Sequence, residues 1–224
     1  MTISVPVLIA FAGIVTVALL GYRQSAAQRA DRRGLLDDCR ALLDGGHIRH
    51  GHDGFPRLDG RFDGRLVRAE LIPDSMTIRR LPQLWLSLTI IEPRRDMPDL
   101  GLMVRPSGTE FYALTPDFEE RLNPPAGLPD EIMIRGKGSA AQMLLNFHGR
   151  YIGGILGDQR VKEIAVTAKG LRLVWQLSEG RRGEHLLLRQ SIFDDAGVRP
   201  EALSHLLVSL CGLSDAIGAT TETK

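Results

Sequence analysis

Three histidines and an aspartate lie close together in the stretch GGHIRHGHDG, residues 45–54. His47, His50 and His52 carry imidazole groups, which are good ligands for zinc, copper and nickel, and Asp53 adds a carboxylate. A catalytic zinc site needs three protein ligands and an open position, which these four residues could supply. One hypothesis is therefore a membrane-anchored, metal-dependent hydrolase.

The same stretch also fits an exposed linker, and we favour this interpretation. The order HxxHxHD departs from the HxHxDH pattern of metallo-hydrolases, because Asp53 directly follows His52 and no histidine comes after it. The flanking glycines predict a mobile loop, whereas a catalytic site needs rigidly held ligands. We therefore predict no cofactor and no metal, and keep the four residues as an alternative metal site.

Other stretches that could do chemistry have simpler structural explanations. Arg135–Ser139 places a lysine at a strand-to-helix turn but lacks the complete phosphate-loop motif GxxxxGK[ST]. Ser107 follows a strand without the GxSxG elbow of serine hydrolases. Cys39 and Cys211 are far apart and show no CxxC spacing, so neither a disulfide framework nor a zinc ribbon is indicated. The sequence identifies no catalytic residue, and we favour a protein that is not an enzyme.

The composition is that of a folded globular protein. The chain has 224 residues, of which 43% are hydrophobic and 25% charged, enough for one substantial domain and an appendage. The formal net charge of +1 gives no global attraction to nucleic acid, so we predict no nucleic-acid partner.

The first 22 residues predict a membrane anchor. They contain no charged side chain and are long enough to span the hydrocarbon core, and they lack the basic start of a cleaved signal peptide. The arginines that follow within a dozen residues predict an N-terminus outside and a cytoplasmic C-terminal domain. The predicted location is the bacterial inner membrane.

The pattern after this segment changes from helical to alternating. Residues 23–45 predict a juxtamembrane helix ended by Gly45-Gly46, and residues 46–57 a Gly/His-rich hinge. Residues 58–219 predict a soluble α+β domain, with a possible sub-boundary near 123–129, where prolines interrupt the chain.

Alternating apolar residues predict several strands in that domain, and Asp63-Gly64 predicts a hairpin turn. Helical spacing predicts one helix capped by Ser139, whose core face would consist of Leu144, Phe147, Tyr151 and Ile155. A second helix begins at Pro200 and presents an apolar stripe of Leu203, Leu206, Leu207, Leu210, Leu213 and Ile217. Leu186–Ile192 predicts a further strand between them.

These elements predict an α+β fold: a single N-terminal transmembrane helix, then a cytoplasmic domain with a mainly antiparallel sheet covered by two or three helices. We expect this domain to serve as an interaction module or accessory subunit of a membrane complex. Its partners would be the membrane, through residues 1–22, and one or more proteins.

Overall fold

A nine-stranded antiparallel sheet forms the centre of the molecule. The computed structural model describes residues 13–16, 19–23, 30, 32–75, 81–180, 193 and 197–222. The strands are β1 (Asp44–His50), β2 (Pro56–Phe62), β3 (Arg65–Asp74), β4 (Gln83–Ile91), β5 (Leu100–Val104), β6 (Glu120–Arg121), β7 (Ile132–Gly136), β8 (Val161–Thr167) and β9 (Gly170–Glu179). Their order is β1-β2-β3-β4-β9-β8-β5-β7-β6.

Two α-helices and a short 3-10 helix cover one face of this sheet. The helices are α1 (Gly138–Leu156) and α2 (Pro200–Glu222), and the 3-10 helix is Asp37–Leu42. Because side chains alternate along a strand, one apolar row crosses nearly the whole sheet on this face. It consists of Ile48, Leu58, Ala69, Leu88, Leu173, Ile164, Leu102 and Ile134.

The predicted stripe of α2 is confirmed, since all six of its leucines and isoleucine are buried in the core. The hairpin at Asp63-Gly64 is confirmed too: both residues have positive φ, and Phe62 pairs with Arg65 across the turn. The predicted N-cap of α1, Ser139, was wrong. The N-cap residue is Lys137, whose side chain makes no capping hydrogen bond.

The predicted core face of α1 was wrong by about one residue position. The buried side chains are Ala141, Leu145, His148, Ile152 and Leu156. Successive residues are turned by about 100° around a helix, so a neighbouring stripe faces the sheet and the predicted one lies partly in solvent.

The second face of the sheet is polar along β1–β3 and is covered farther along by the loop between β5 and β6. Glu163, which is fully buried on this face, accepts hydrogen bonds of 2.8 Å from Leu114 N, Thr115 N and Thr115 Oγ1 in that loop. Lys162 forms a buried ion pair of 2.8 Å with Glu110. These contacts hold the loop against the sheet.

The fold-class prediction was wrong at the N-terminus. At this end of the chain, the described residues 13–16 and 19–23 belong to one short apolar helix, Gly13–Arg23. At about 1.5 Å per residue, this helix is much shorter than the roughly 30 Å of a hydrocarbon core. No N-terminal transmembrane helix is therefore present in the described part of the chain, and residues 1–12 and 17–18 lie outside it.

The one described helix that is long and apolar enough to cross a membrane lies at the other end of the chain, Pro200–Thr220. It belongs to α2, whose apolar stripe packs on the sheet, as expected for a core helix. The fold is a nine-stranded antiparallel sheet with a C-terminal helix.

Of the predicted juxtamembrane helix, residues 23, 30 and 32–33 are helical and residues 24–29 and 31 lie outside the described residues, whereas the predicted hinge is largely strand. The 3-10 helix Asp37–Leu42 is followed at once by β1, which takes up most of the histidine stretch. Gly46 serves close packing, since a Cβ there would lie 2.5 Å from Arg40 O, and Gly45 adopts a positive φ of 64° that favours glycine. Residues 123–129 form a loop whose two sides contribute to the same sheet, and the predicted strand Leu186–Ile192 lies outside the described residues.

Candidate functional site

The outer side of α1 presents a row of large apolar side chains to solvent. Met143, Phe147 and Tyr151 recur every four residues and are 42%, 66% and 42% exposed. Val208 of α2 is 58% exposed as well. We call these four residues the outer patch.

Tyr151 joins the two helices within this patch. Its hydroxyl donates a 3.3 Å hydrogen bond to Ser209 O of α2. A Cβ at Gly212 would clash with the same hydroxyl oxygen, so a larger residue there would displace the Tyr151 ring from α2. Since Val208 is adjacent to Ser209 and lies one helical turn before Gly212, the tyrosine brings α1 and α2 into one continuous surface.

A cavity of about 750 Å³ adjoins the patch between α1 and α2. Met97, Leu144 and Ile217 form its apolar wall, and Phe147 stands at its opening. The size falls within the range of ligand and peptide pockets.

His148 lies at the side of this cavity, with Nε2 3.3 Å from Thr220 Oγ1. Burial lowers the pKa of its imidazole, which favours the neutral ring. At the rim, Arg94 donates to Glu92 at 2.8 Å and to Ser214 Oγ at 3.1 Å, so this pair fixes α2 to the end of β4.

The predicted metal ligands do not converge. His47 and His50 stand three positions apart on β1, so the alternation of a strand sends them to opposite faces. His50 Nε2 lies 3.2 Å from Arg33 O, and Asp53 Oδ1 accepts a 3.1 Å hydrogen bond from Phe55 N in the turn that includes His52. Among the described residues, no group of three or more His, Cys, Asp or Glu side chains could hold a metal ion.

Ser107 lies beside an acid that is unsuited to activate it. Its Oγ donates a 2.5 Å hydrogen bond to Glu110 Oε1, which also pairs with Lys162. Burial opposes ionisation of Glu110, but the hydrogen bonds from Lys162 and Ser107 outweigh it and lower its pKa to about 2. A carboxylate this weakly basic is a poor general base near neutral pH. The three side chains instead hold the loop between β5 and β6.

The remaining sequence candidates have structural roles or stand in solvent. Cys39 donates to Val198 O at 3.1 Å, and burial, followed by the nearby Asp38 and Glu201, raises its thiol pKa to about 11. Such a thiol is protonated and inert at neutral pH. Lys137 forms an exposed, 3.5 Å ion pair with Glu119.

Sequence reasoning missed the outer patch because it assigned Phe147 and Tyr151 to the core. The signal that could have identified it is the presence of apolar residues on two sides of α1. A helix that buries one apolar stripe is expected to carry polar residues on its opposite side, unless another protein covers that side.

The chain matches no protein-family model, and a search of curated proteins finds no match. The geometry of the described residues is therefore the basis for assigning a function.

Proposed function

We propose that this protein is a non-catalytic interaction module that docks an amphipathic helix of another protein on the outer patch. The observation that supports it is the exposed row of Met143, Phe147 and Tyr151 on α1. The predicted inner-membrane location depended on the N-terminal anchor and stays a prediction outside this proposal.

An exposed apolar row costs solubility, because water-exposed aromatic side chains favour association. Phe147 leaves two thirds of its surface in solvent while its neighbour Leu145 is fully buried. Soluble proteins keep such contiguous patches chiefly where a partner covers them. The row is therefore better explained by a partner than by packing within this chain.

The shape of the patch suits a helix. Three anchors spaced by four residues extend about 12 Å along α1, at about 1.5 Å per residue, which matches two turns of a bound helix. Helix-in-groove recognition uses apolar anchors with this spacing on the bound partner. The adjacent cavity of about 750 Å³ offers space for one large apolar side chain of that helix.

The charge on α1 indicates which polar residues the partner helix would carry beside its apolar row. Arg150 is the only Asp, Glu, Lys or Arg residue of α1, and it is exposed between Phe147 and Tyr151 in sequence. A partner helix with acidic residues beside its apolar row would complement it.

Affinity purification of the tagged full-length chain tests the proposal. We expect a partner protein to be recovered with the wild-type chain, and Phe147→Ser to reduce its recovery at least about tenfold, as for an aromatic interface anchor. Because Phe147 is 66% exposed, this substitution should leave the fold intact.

Phe111→Ser is the matched control. Phe111 is 60% exposed but belongs to the loop over the other face of the sheet. Recovery that falls equally in both variants, or is unchanged in Phe147→Ser, would refute docking on the outer patch.

A further inference from the structure

A cluster of arginines occupies the second face of the sheet, away from the outer patch. Asp59 accepts a 2.9 Å hydrogen bond from Arg49 Nη2, a 3.1 Å bond from Arg57 Nε and a 2.8 Å bond from Arg68 Nε. The three arginines come from β1, β2 and β3, so three adjacent strands direct guanidinium groups at one carboxylate. Each of these bonds is also an ion pair.

This arrangement concentrates more positive charge than Asp59 neutralises. Arg49 and Arg57 are directly opposite each other on neighbouring strands, where like charges destabilise a sheet. With Glu70 opposite Arg57 also counted, the three guanidinium groups and two carboxylates leave a net excess of one positive charge. An anion-binding site requires an excess of positive charge, whereas a single arginine would be enough to neutralise Asp59.

The hydrogen bonds to Asp59 leave most of the donors unused. A guanidinium carries five N–H groups, and Asp59 takes one from Arg49, one from Arg68 and two from Arg57. The side chains of Arg49, Arg57 and Arg68 are 62%, 32% and 35% exposed, so a ligand in solvent can reach them. Asp59 thus orients the arginines and leaves them open for a second acceptor.

The carboxylate at the centre is fixed in its charged form. Burial opposes ionisation, but the hydrogen bonds from Arg68, Arg49 and Arg57 outweigh it and lower the pKa of Asp59 to about 2. A cavity of about 440 Å³ adjoins the cluster and is lined in part by Arg49 and Arg57. Its lining also includes the carboxylates of Asp53 and Glu70 and does not include Arg68, so an anion is better placed on the sheet surface between Arg49 and Arg68 than deep in this cavity.

We propose that Arg49, Arg57 and Arg68 bind the phosphate group of a phosphorylated ligand. A phosphate monoester carries close to two negative charges at neutral pH, so it is attracted to the positive charge at the cluster. Its oxygens accept the paired N–H donors that arginine presents. His47 lies opposite Asp59 on the same face, next to the cluster.

Titration of the full-length chain with inorganic phosphate and with pyrophosphate, followed by isothermal calorimetry and by amide NMR shifts in β1–β3, tests this site. Saturable binding of either ion is expected, with the largest shifts at the cluster. Vesicles with and without phosphatidic acid form a further arm, which distinguishes a lipid headgroup from a free phosphate. Binding in none of the three arms would overturn the proposal.

Arg49→Gln is the test variant, because it removes the most exposed guanidinium while Arg57 and Arg68 still satisfy Asp59. We expect its dissociation constant to rise at least tenfold. Arg61→Gln is the matched control: Arg61 is two residues from Asp59 on β2, and its Nη1 donates to Gly64 O instead. Arg61→Gln removes the same positive charge, but it should change the dissociation constant for the anion by less than twofold. Equal weakening in the two variants would show only general charge attraction and would overturn the assigned site.

Discussion

At the scale of single residues, the most informative group is the buried pair of Glu110 and Lys162. Their side chains are 4% and 6% exposed, and the two join at 2.8 Å. Lys162 also donates a 2.7 Å bond to Arg105 O, and Glu110 accepts backbone bonds from Ser107 and Gly108. The pair thus holds the start of the loop between β5 and β6 against the sheet.

Glu110→Gln should destabilise the protein by about 3 kcal/mol, because it leaves the buried ammonium of Lys162 without a counter-charge. Chemical unfolding of the purified variant measures this loss. Since folding lowers the pKa of Glu110 to about 2 from a usual value near 4.5, its ionisation stabilises the native state above about pH 4.5. We expect that contribution to disappear as the pH falls toward 2, and to be absent from the variant at every pH.

Glu119→Gln provides the comparison. Its ion pair with Lys137 is about two thirds exposed on both sides, and such pairs contribute little. A loss of stability as large as that of Glu110→Gln would contradict the role assigned to burial.

At the scale of elements, α1 is the helix with two different apolar sides. One side packs on the sheet through Leu145 and Ile152, and the other exposes Met143, Phe147 and Tyr151. The buried side chains of α1 therefore stabilise the fold, whereas its exposed apolar side chains are available to bind a partner.

Alanine substitutions on the two sides should have unequal effects on stability. Leu145→Ala is expected to cost about 2–5 kcal/mol, since it empties a fully buried site. Phe147→Ala should change the free energy of unfolding by less than about 0.5 kcal/mol, as for exposed positions in general. Urea unfolding of both variants checks this, and a large loss in Phe147→Ala would place that ring in the core.

The stripe of α2 and the hairpin at Asp63-Gly64 could be predicted because each depends on local spacing. The orientation of α1 could not, since apolar residues recur at helical spacing on both of its sides and periodicity does not choose between them. The histidine stretch was assigned to a hinge because glycine suggests flexibility. Here Gly46 instead permits a close approach to Arg40 O and to Gly60 of β2, and composition alone does not reveal this packing.

At the scale of the whole molecule, the sheet depends on pairings between distant parts of the chain. β4 pairs with β9, and β5 lies between β8 and β7. The far end of α2 is fixed by Ser214, which donates to Glu92 at 2.6 Å, and by the ion pair of Asp215 with Arg65. Sequence patterns predicted many of the strands but not this order, which also brings Asp59 together with its three arginines.

The same order assigns the two proposed sites to different faces of the sheet. The outer patch lies on the helices that cover one face, and the arginine cluster lies on the open half of the other. Substitutions in one site should therefore leave the other unaffected, since mutations without shared contacts act almost independently.

The most direct test of docking on the outer patch is site-specific photocrosslinking in cells that express the full-length chain. A photoreactive phenylalanine analogue replaces Phe147 in one strain and Phe111 in another. We predict a discrete adduct with a different protein from position 147 and none from position 111. An adduct with the mass of two copies of this chain, the same adduct from both positions, or no adduct from position 147 in a folded and expressed chain would contradict the proposal.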